Sequence, residues 1–206
     1  MSMAVAYERT GRTRQKARTR AALVDAARKL LAGGSTPTVE QAAEAADVSR
    51  ATSYRYFPNQ RALLVAAHPE VEARTLLGED APPDPEDRLD RTVSALIRLT
   101  IDTEPELRTM LRLSLGPGPK DELLLRQGRA IGWLEEALAP LRGRLPRSEL
   151  RRLVLAIRSA CGIEPLVWLT DVGGLSRQEA GDLMRWSALT LLRAALEEHP
   201  PREGGR

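Results

Sequence analysis

Cysteine is almost missing from this chain: Cys161 is the only one in 206 residues. A lone thiol cannot close an internal disulfide, so a stapled fold is excluded and a reducing, cytoplasmic setting is expected. Cys161 itself reads as a small core residue. Histidine occurs only at His68 and His199. With one thiol and two imidazoles, neither a metal cluster nor a nucleophile with its base can be assembled, and GxxxxGKS/T, HExxH and CxxC patterns are missing too. No enzyme, cofactor or metal is therefore expected, and pairs such as Glu135-Glu136 and Glu197-Glu198 read as solvated helix faces. Aromatics make up 3% of the chain, so Leu, Ala and Val must fill the core. No apolar run approaches the ~20 residues of a membrane span, and the N-terminus has no apolar stretch with a cleavage site, so neither a membrane partner nor secretion is expected. Alternating β-branched stretches are lacking as well, which leaves an all-α fold.

What the chain does have is basic charge at one end. Residues 1–30 hold eight cationic side chains against Glu8 and Asp25, a balance of +6, while the remainder carries −3. A basic end on a slightly acidic body suits a protein that meets a polyanion with that end, or one with a solvated tail. The first helix is expected from Thr19, with Leu23, Ala26, Ala27, Leu30 and Leu31 on one apolar face, stopped by Gly33-Gly34. Residues 1–18 then form a basic arm.

Residues 38–57 read as a helix-turn-helix. Thr38 and Gln41 make a capping box, and Val39, Ala42, Ala43 and Ala46 face inward. Asp47-Val48 makes the turn, with Asp47 suited to a left-handed position, and Ser49 caps the next helix. In that helix Ser53 and Phe57 share the inward side, while Ala51, Thr52 and Arg55 lie opposite and Tyr54 and Tyr56 flank them. Pro58 ends the helix and Asn59 caps the following one. Arg55 can donate two bonds to a guanine edge, and Ala51 and Thr52 can meet a thymine methyl or a base edge. Tyr54 and Tyr56 suit phosphate, as do the helix N-termini at Thr38 and Ser49, and Arg50 is a further DNA-binding candidate. Arg12, Arg14, Lys16, Arg18 and Arg20 are placed to follow the backbone or enter the minor groove. Double-stranded DNA is the partner these residues imply.

Beyond a polar, proline-rich loop after Gly78, helices are expected at 85–102, 105–115, 121–142, 147–172 and 176–198. The last two have wide apolar faces, Leu150, Val154 and Ile157 on one and Met184, Ala188, Leu191, Leu192 and Ala195 on the other. They read as a homodimer interface, or else as the completion of a monomeric core.

The segment also resembles the TetR family of bacterial transcriptional repressors. The resemblance rests on Thr38, Ala43-Glu44-Ala45-Ala46-Asp47-Val48-Ser49, Ser53-Tyr54-Arg55-Tyr56-Phe57 and Asn59-Gln60-Arg61-Ala62-Leu63. It covers about a quarter of the chain, and the last two helices look similar too. Three positions depart from the pattern. Asp47 replaces a glycine and Ser53 replaces a leucine. Gln60, expected to contact DNA, stands where the family has a phosphate-binding lysine, so a weaker backbone contact is expected there, with Arg61 beside it as a substitute. The resemblance implies an N-terminal three-helix DNA-binding domain (19–66), a C-terminal helical effector-binding and dimerisation domain (67–199), about nine helices in all, and a tail at 200–206. It further implies a repressor released from a palindromic operator by a small-molecule effector, with helix 4 linking the domains. Pro69 would either kink that helix or mark its end at Ala67. Met110, Trp133, Glu164 and Trp168 are the expected pocket residues, since Glu164 and Trp168 share a helix face. The rival reading is a helical scaffold that does not bind DNA, against which the basic arm and recognition helix speak.

Overall fold

A computed structural model describes residues 3–68, 74–115 and 128–198, with side chains from residue 13 onward. Among these the chain is helical: α1 (Met3–Ala32), α2 (Val39–Ala45), α3 (Arg50–Tyr56), α4 (Gln60–Ala67), α5 (Pro85–Asp102), α6 (Glu104–Ser114), α7 (Arg129–Ala137), α8 (Arg147–Ala160), α9 (Ile163–Val167) and α10 (Arg177–Glu198). A π turn, Trp168–Val172, continues α9.

Helix α1 begins at Met3, not near Thr19, so the basic arm is helical rather than extended. The physical reason is its composition: Arg, Lys, Gln and Ala are good helix formers and no proline interrupts them. The helix ends where the glycines require it. Gly34 takes φ +79°, and the Ser35 N–H and hydroxyl both donate to the Leu30 carbonyl, satisfying an acceptor that the helix end leaves open. Leu23, Val24, Ala27 and Leu31 of α1 are buried against α2 and α4 with Val39, Ala42, Ala43, Phe57, Leu63 and Leu64.

The second core is built from α5, α7, α8 and α10, with Leu89, Val93, Leu96, Trp133, Leu134, Leu153, Val154, Ile157, Met184 and Leu192 among its members. Helix α5 starts on Asp84, whose carboxylate accepts from the Glu86 and Asp87 N–H groups, with Pro85 at the first helical position. Helix α6 belongs to both cores. Its Leu107 is buried in the second, whereas Met110 is buried among the residues of the first.

Two expected helices are shorter than read. Helix α7 spans Arg129–Ala137 and gives way to a 3₁₀ turn at Ala139–Leu141, while 121–127 lie outside the described residues. The helix expected over 147–172 breaks at Cys161-Gly162, where Gly162 adopts φ +112°. A Cβ at Gly162 would meet only the movable end of the Arg158 side chain, so it is the positive φ that calls for glycine here. By length and composition alone Arg147–Val172 could cross a membrane, yet its Leu153, Val154, Ile157 and Leu166 are buried in the protein core.

The chain leaves α4 at His68, whose ψ of 128° is extended, as the residue before a proline prefers. Helix α4 thus stops at Ala67 and is not a kinked helix running through Pro69. Pro69 itself, with 70–73, lies outside the described residues, as does the tail at 200–206. His68 is buried, and Arg28 of α1 closes over this helix end by donating from Nε to the Ala67 carbonyl at 3.1 Å.

Candidate nucleic-acid interface

The helix-turn-helix is held by local hydrogen bonds that its sequence specifies. Thr38 Oγ1 accepts from the Gln41 N–H and Gln41 Oε1 accepts from the Thr38 N–H, at 3.2 and 2.8 Å. Asp47 carries φ +53° and is the only non-glycine residue with positive φ among those described. Its carboxylate side chain makes that conformation cheaper than for most residues. Ser49 Oγ accepts from the Thr52 N–H and donates to Thr52 Oγ1. Asn59 Oδ1 accepts from the Ala62 N–H at 2.8 Å.

Helix α3 then presents Arg50, Ala51, Tyr54 and Arg55 to solvent, with Thr52 and Tyr56 partly covered. Ser53 and Phe57 are buried. Ser53 donates to the Arg50 carbonyl at 2.8 Å, so its hydroxyl needs no further partner inside the core. Arg20 of α1 lies over the Phe57 ring, 5.4 Å from its centre, which bridges the end of the basic segment to α3. Arg14, Lys16 and Arg20 are exposed and Arg18 is exposed beside them on the same helix; the Arg12 side chain lies outside the described residues.

Gln60 is used differently from a phosphate ligand. Its amide donates to the carbonyls of Pro37 (2.9 Å) and Thr36 (3.3 Å), tying the start of α4 to the loop before α2. The neighbouring Arg61 has its Nε buried without a hydrogen-bond partner. A group that sequence reasoning missed is Glu40, in the first turn of α2. Its carboxylate accepts from the Tyr54 hydroxyl at 2.5 Å and pairs with Arg50 at 3.0 Å. The Arg50 guanidinium also lies 5.9 Å from the centre of the Tyr54 ring. The bond from Tyr54, ahead of the charge of Arg50, holds the Glu40 carboxyl below its ordinary range, and the same bond raises the Tyr54 phenol. No periodicity in the sequence joins residues fourteen apart on two crossing helices. Only the opposite charges at the two helix starts hint at the pair.

Two capped helices with an exposed polar face on the second, set behind a basic helix, form a helix-turn-helix DNA-binding domain. Residues 23–67 match the family of bacterial regulatory proteins described as the tetR family. The match is confined to the N-terminal helices, where it marks a tetR-type DNA-binding domain and so a DNA-binding transcription regulator. No curated protein matches the chain closely enough to count as a relative.

The four residues expected to bind an effector have different surroundings. Met110 is buried in the first core, because α6 reaches back to α1: Thr109 Oγ1 donates to the Leu31 carbonyl and Arg112 to that of Gly34, each at 3.3 Å. Trp133 is buried in the second core and donates from its indole to the Arg74 carbonyl at 3.3 Å. Glu164 pairs with Arg158 at 3.4 Å. Trp168 is 61% exposed. Glu164 and Trp168 do stand four residues apart in continuous helix, between the break at Gly162 and the start of the π turn, but one is tied to Arg158 and the other faces solvent. A cleft of about 1100 Å³ opens elsewhere, where the end of α7 meets the start of α8, lined by Arg142, Leu145, Arg147, Leu150 and Arg151 among others.

The expected dimer face is corrected as well. Leu150, Val154, Ile157, Met184, Ala188, Leu192 and Ala195 are buried within the chain's own second core, and Leu191 packs against it half-buried. The same apolar spacing serves an intrachain contact, since α8 and α10 pack on each other and α10 on α5. The large apolar side chains left exposed beyond the helix-turn-helix, among the described residues, are different ones: Leu115 after α6, Leu155 on α8, Trp168 and Val172 on the π turn, and Leu183, Trp186 and Leu196 on α10.

Proposed function

We propose that this regulator is a homodimeric repressor that leaves a palindromic operator when a small molecule binds its second domain. The observation that carries the DNA half of the reading is the exposed row Ala51, Arg55 and the partly covered Thr52 on a helix whose inward side is fully packed. In the complex Arg55 would read a guanine edge and Thr52 and Ala51 their neighbours, while Tyr56 and the N-termini of α2 and α3 would hold phosphates.

Dimerisation would place two such helices about 34–36 Å apart, one turn of DNA. Support for it comes from two indoles at 61% exposure, Trp168 and Trp186, with Leu155, Leu183 and Val172 also uncovered. Large exposed apolar side chains in that number point to an interface. The cleft lined by Arg142, Arg147 and the Arg151–Glu135 pair over Leu145 and Leu150 is of the size that holds a small molecule, and the two further arginines favour an anionic one. Coupling between effector and DNA would pass through α6, because it is anchored in both cores. A ligand acts only through its different affinities for the two states of that helix.

The test is a mobility-shift series in rising salt, with light scattering of the same protein. A specific complex whose affinity falls steeply with salt, formed by a dimer, is the expected result. A monomer in solution, or no shift on DNA at low salt, refutes the proposal.

A further inference from the structure

We propose that Glu40 is an internal anion that occupies, in the DNA-free protein, the place a DNA phosphate takes in the complex, and so suppresses sequence-independent binding. This rests on the DNA-binding reading of α3. The carboxylate gathers two groups on the outward surface that are chemically suited to phosphate: the Tyr54 hydroxyl at 2.5 Å and the Arg50 guanidinium at 3.0 Å. All three side chains lie at the surface, with Arg50 three-quarters exposed, so none is a core group held there by packing.

A phenol has one proton to donate, so Tyr54 cannot serve Glu40 and a phosphate together. Arg50 is already neutralised by its partner, and pairing it with DNA would release fewer counterions than an unpaired arginine would. A phosphate near this corner also meets the charge of Glu40 itself. Any duplex must therefore overcome a local penalty. A correct operator offsets it through the base contacts of Arg55, Thr52 and Ala51, and a random sequence does not. Glu40 thereby widens the gap between specific and non-specific affinity without touching a base.

The experiment uses the full chain and a fluorescent random-sequence duplex of about 30 base pairs, titrated by anisotropy between about 50 and 200 mM KCl. Wild type, Glu40→Gln and Glu40→Ala are compared, with circular dichroism melts to establish that each is folded. Glu40→Gln removes the charge and keeps an acceptor for Tyr54, whereas Glu40→Ala also releases the hydroxyl. The expected result is tighter binding of random DNA, about three- to tenfold at the lower salt, with a salt slope steeper by about 0.9 for the arginine that becomes available. Glu40→Ala should bind at least as tightly as Glu40→Gln. Equal or weaker binding by both folded variants overturns the proposal and makes Glu40 a brace for Tyr54 and Arg50 instead. Failure of wild type and variants alike to bind any duplex overturns the DNA-binding reading itself, and this inference with it.

Discussion

Mild acid should weaken this protein through a single side chain, His68. Its imidazole is 7% exposed at the end of α4. Burial, and then the positive charges of Arg129, Arg158 and Arg28 from three different helices, lower it from 6.5 to about 4. Above pH 6.5 the histidine is neutral in both folded and unfolded chains and contributes nothing to the pH dependence. As pH falls below 6.5 the unfolded chain binds a proton that the folded chain refuses until about pH 4, so stability drops across that window. The whole shift corresponds to about 3 kcal/mol, of which about 2 kcal/mol is lost by about pH 5. The carboxyls lowered by their partners, Glu40, Glu104, Glu179 and Asp171, give up their contributions only below their ordinary range near 4 to 4.5, at the acid edge of this window or beyond it. Urea unfolding followed by helical signal, at intervals from about pH 8 to about pH 5, measures the effect. For a slope of about 2 to 3 kcal/mol per molar, the wild-type midpoint should fall by roughly 0.7 to 1 M. In His68→Gln that fall should vanish, whatever the variant's stability at pH 8. An undiminished fall in the variant would refute the assignment to His68.

Three further outcomes follow from packing and charge. Met110→Ala should cost about 2 to 5 kcal/mol; because Met110 is buried with α1, α2 and α4, amide exchange should accelerate in the DNA-binding helices although the change lies in α6. Glu104 is 6% exposed and receives bonds from Arg108 and Arg177, both at 2.6 Å, so Glu104→Ala should destabilise by about 3 kcal/mol in chemical unfolding, with Arg108 keeping its bonds to Asp171. Trp186→Asp should shift the mass found by light scattering from dimer to monomer while leaving the thermal midpoint nearly unchanged, since the indole is outside the core.

The elements set by local chemistry were legible in the sequence. The Thr38–Gln41 box, the left-handed Asp47, the Ser49 and Asn59 caps and the Gly34 stop each depend on residues a few positions apart, and all are present. What periodicity could not supply was the identity of the partner surface. The apolar stripe of Leu150, Val154, Ile157, Met184, Ala188 and Leu192 is as good a face for another subunit as for the chain's own α5 and α7, and it covers the latter. Glu164 and Trp168 keep their helical spacing, but spacing does not say that Glu164 pairs with Arg158 or that Trp168 lies 61% exposed. Met110, Glu40 and Arg20 matter through contacts with distant segments that no local pattern encodes.

The dual membership of α6 has a consequence for how such a regulator can be cut and recombined. A fragment ending at Ala67 keeps every residue matched to the tetR family, yet loses Met110, a buried member of the core beneath the recognition helix. It also loses the cover that Thr109 and Arg112 give to the carbonyls at the end of α1. The boundary that matters for grafting these DNA-binding helices onto another protein is therefore not a point in the chain. A working chimera would have to carry over a matching α6 from beyond the seam, or a donor helix with an equally bulky side chain at that position.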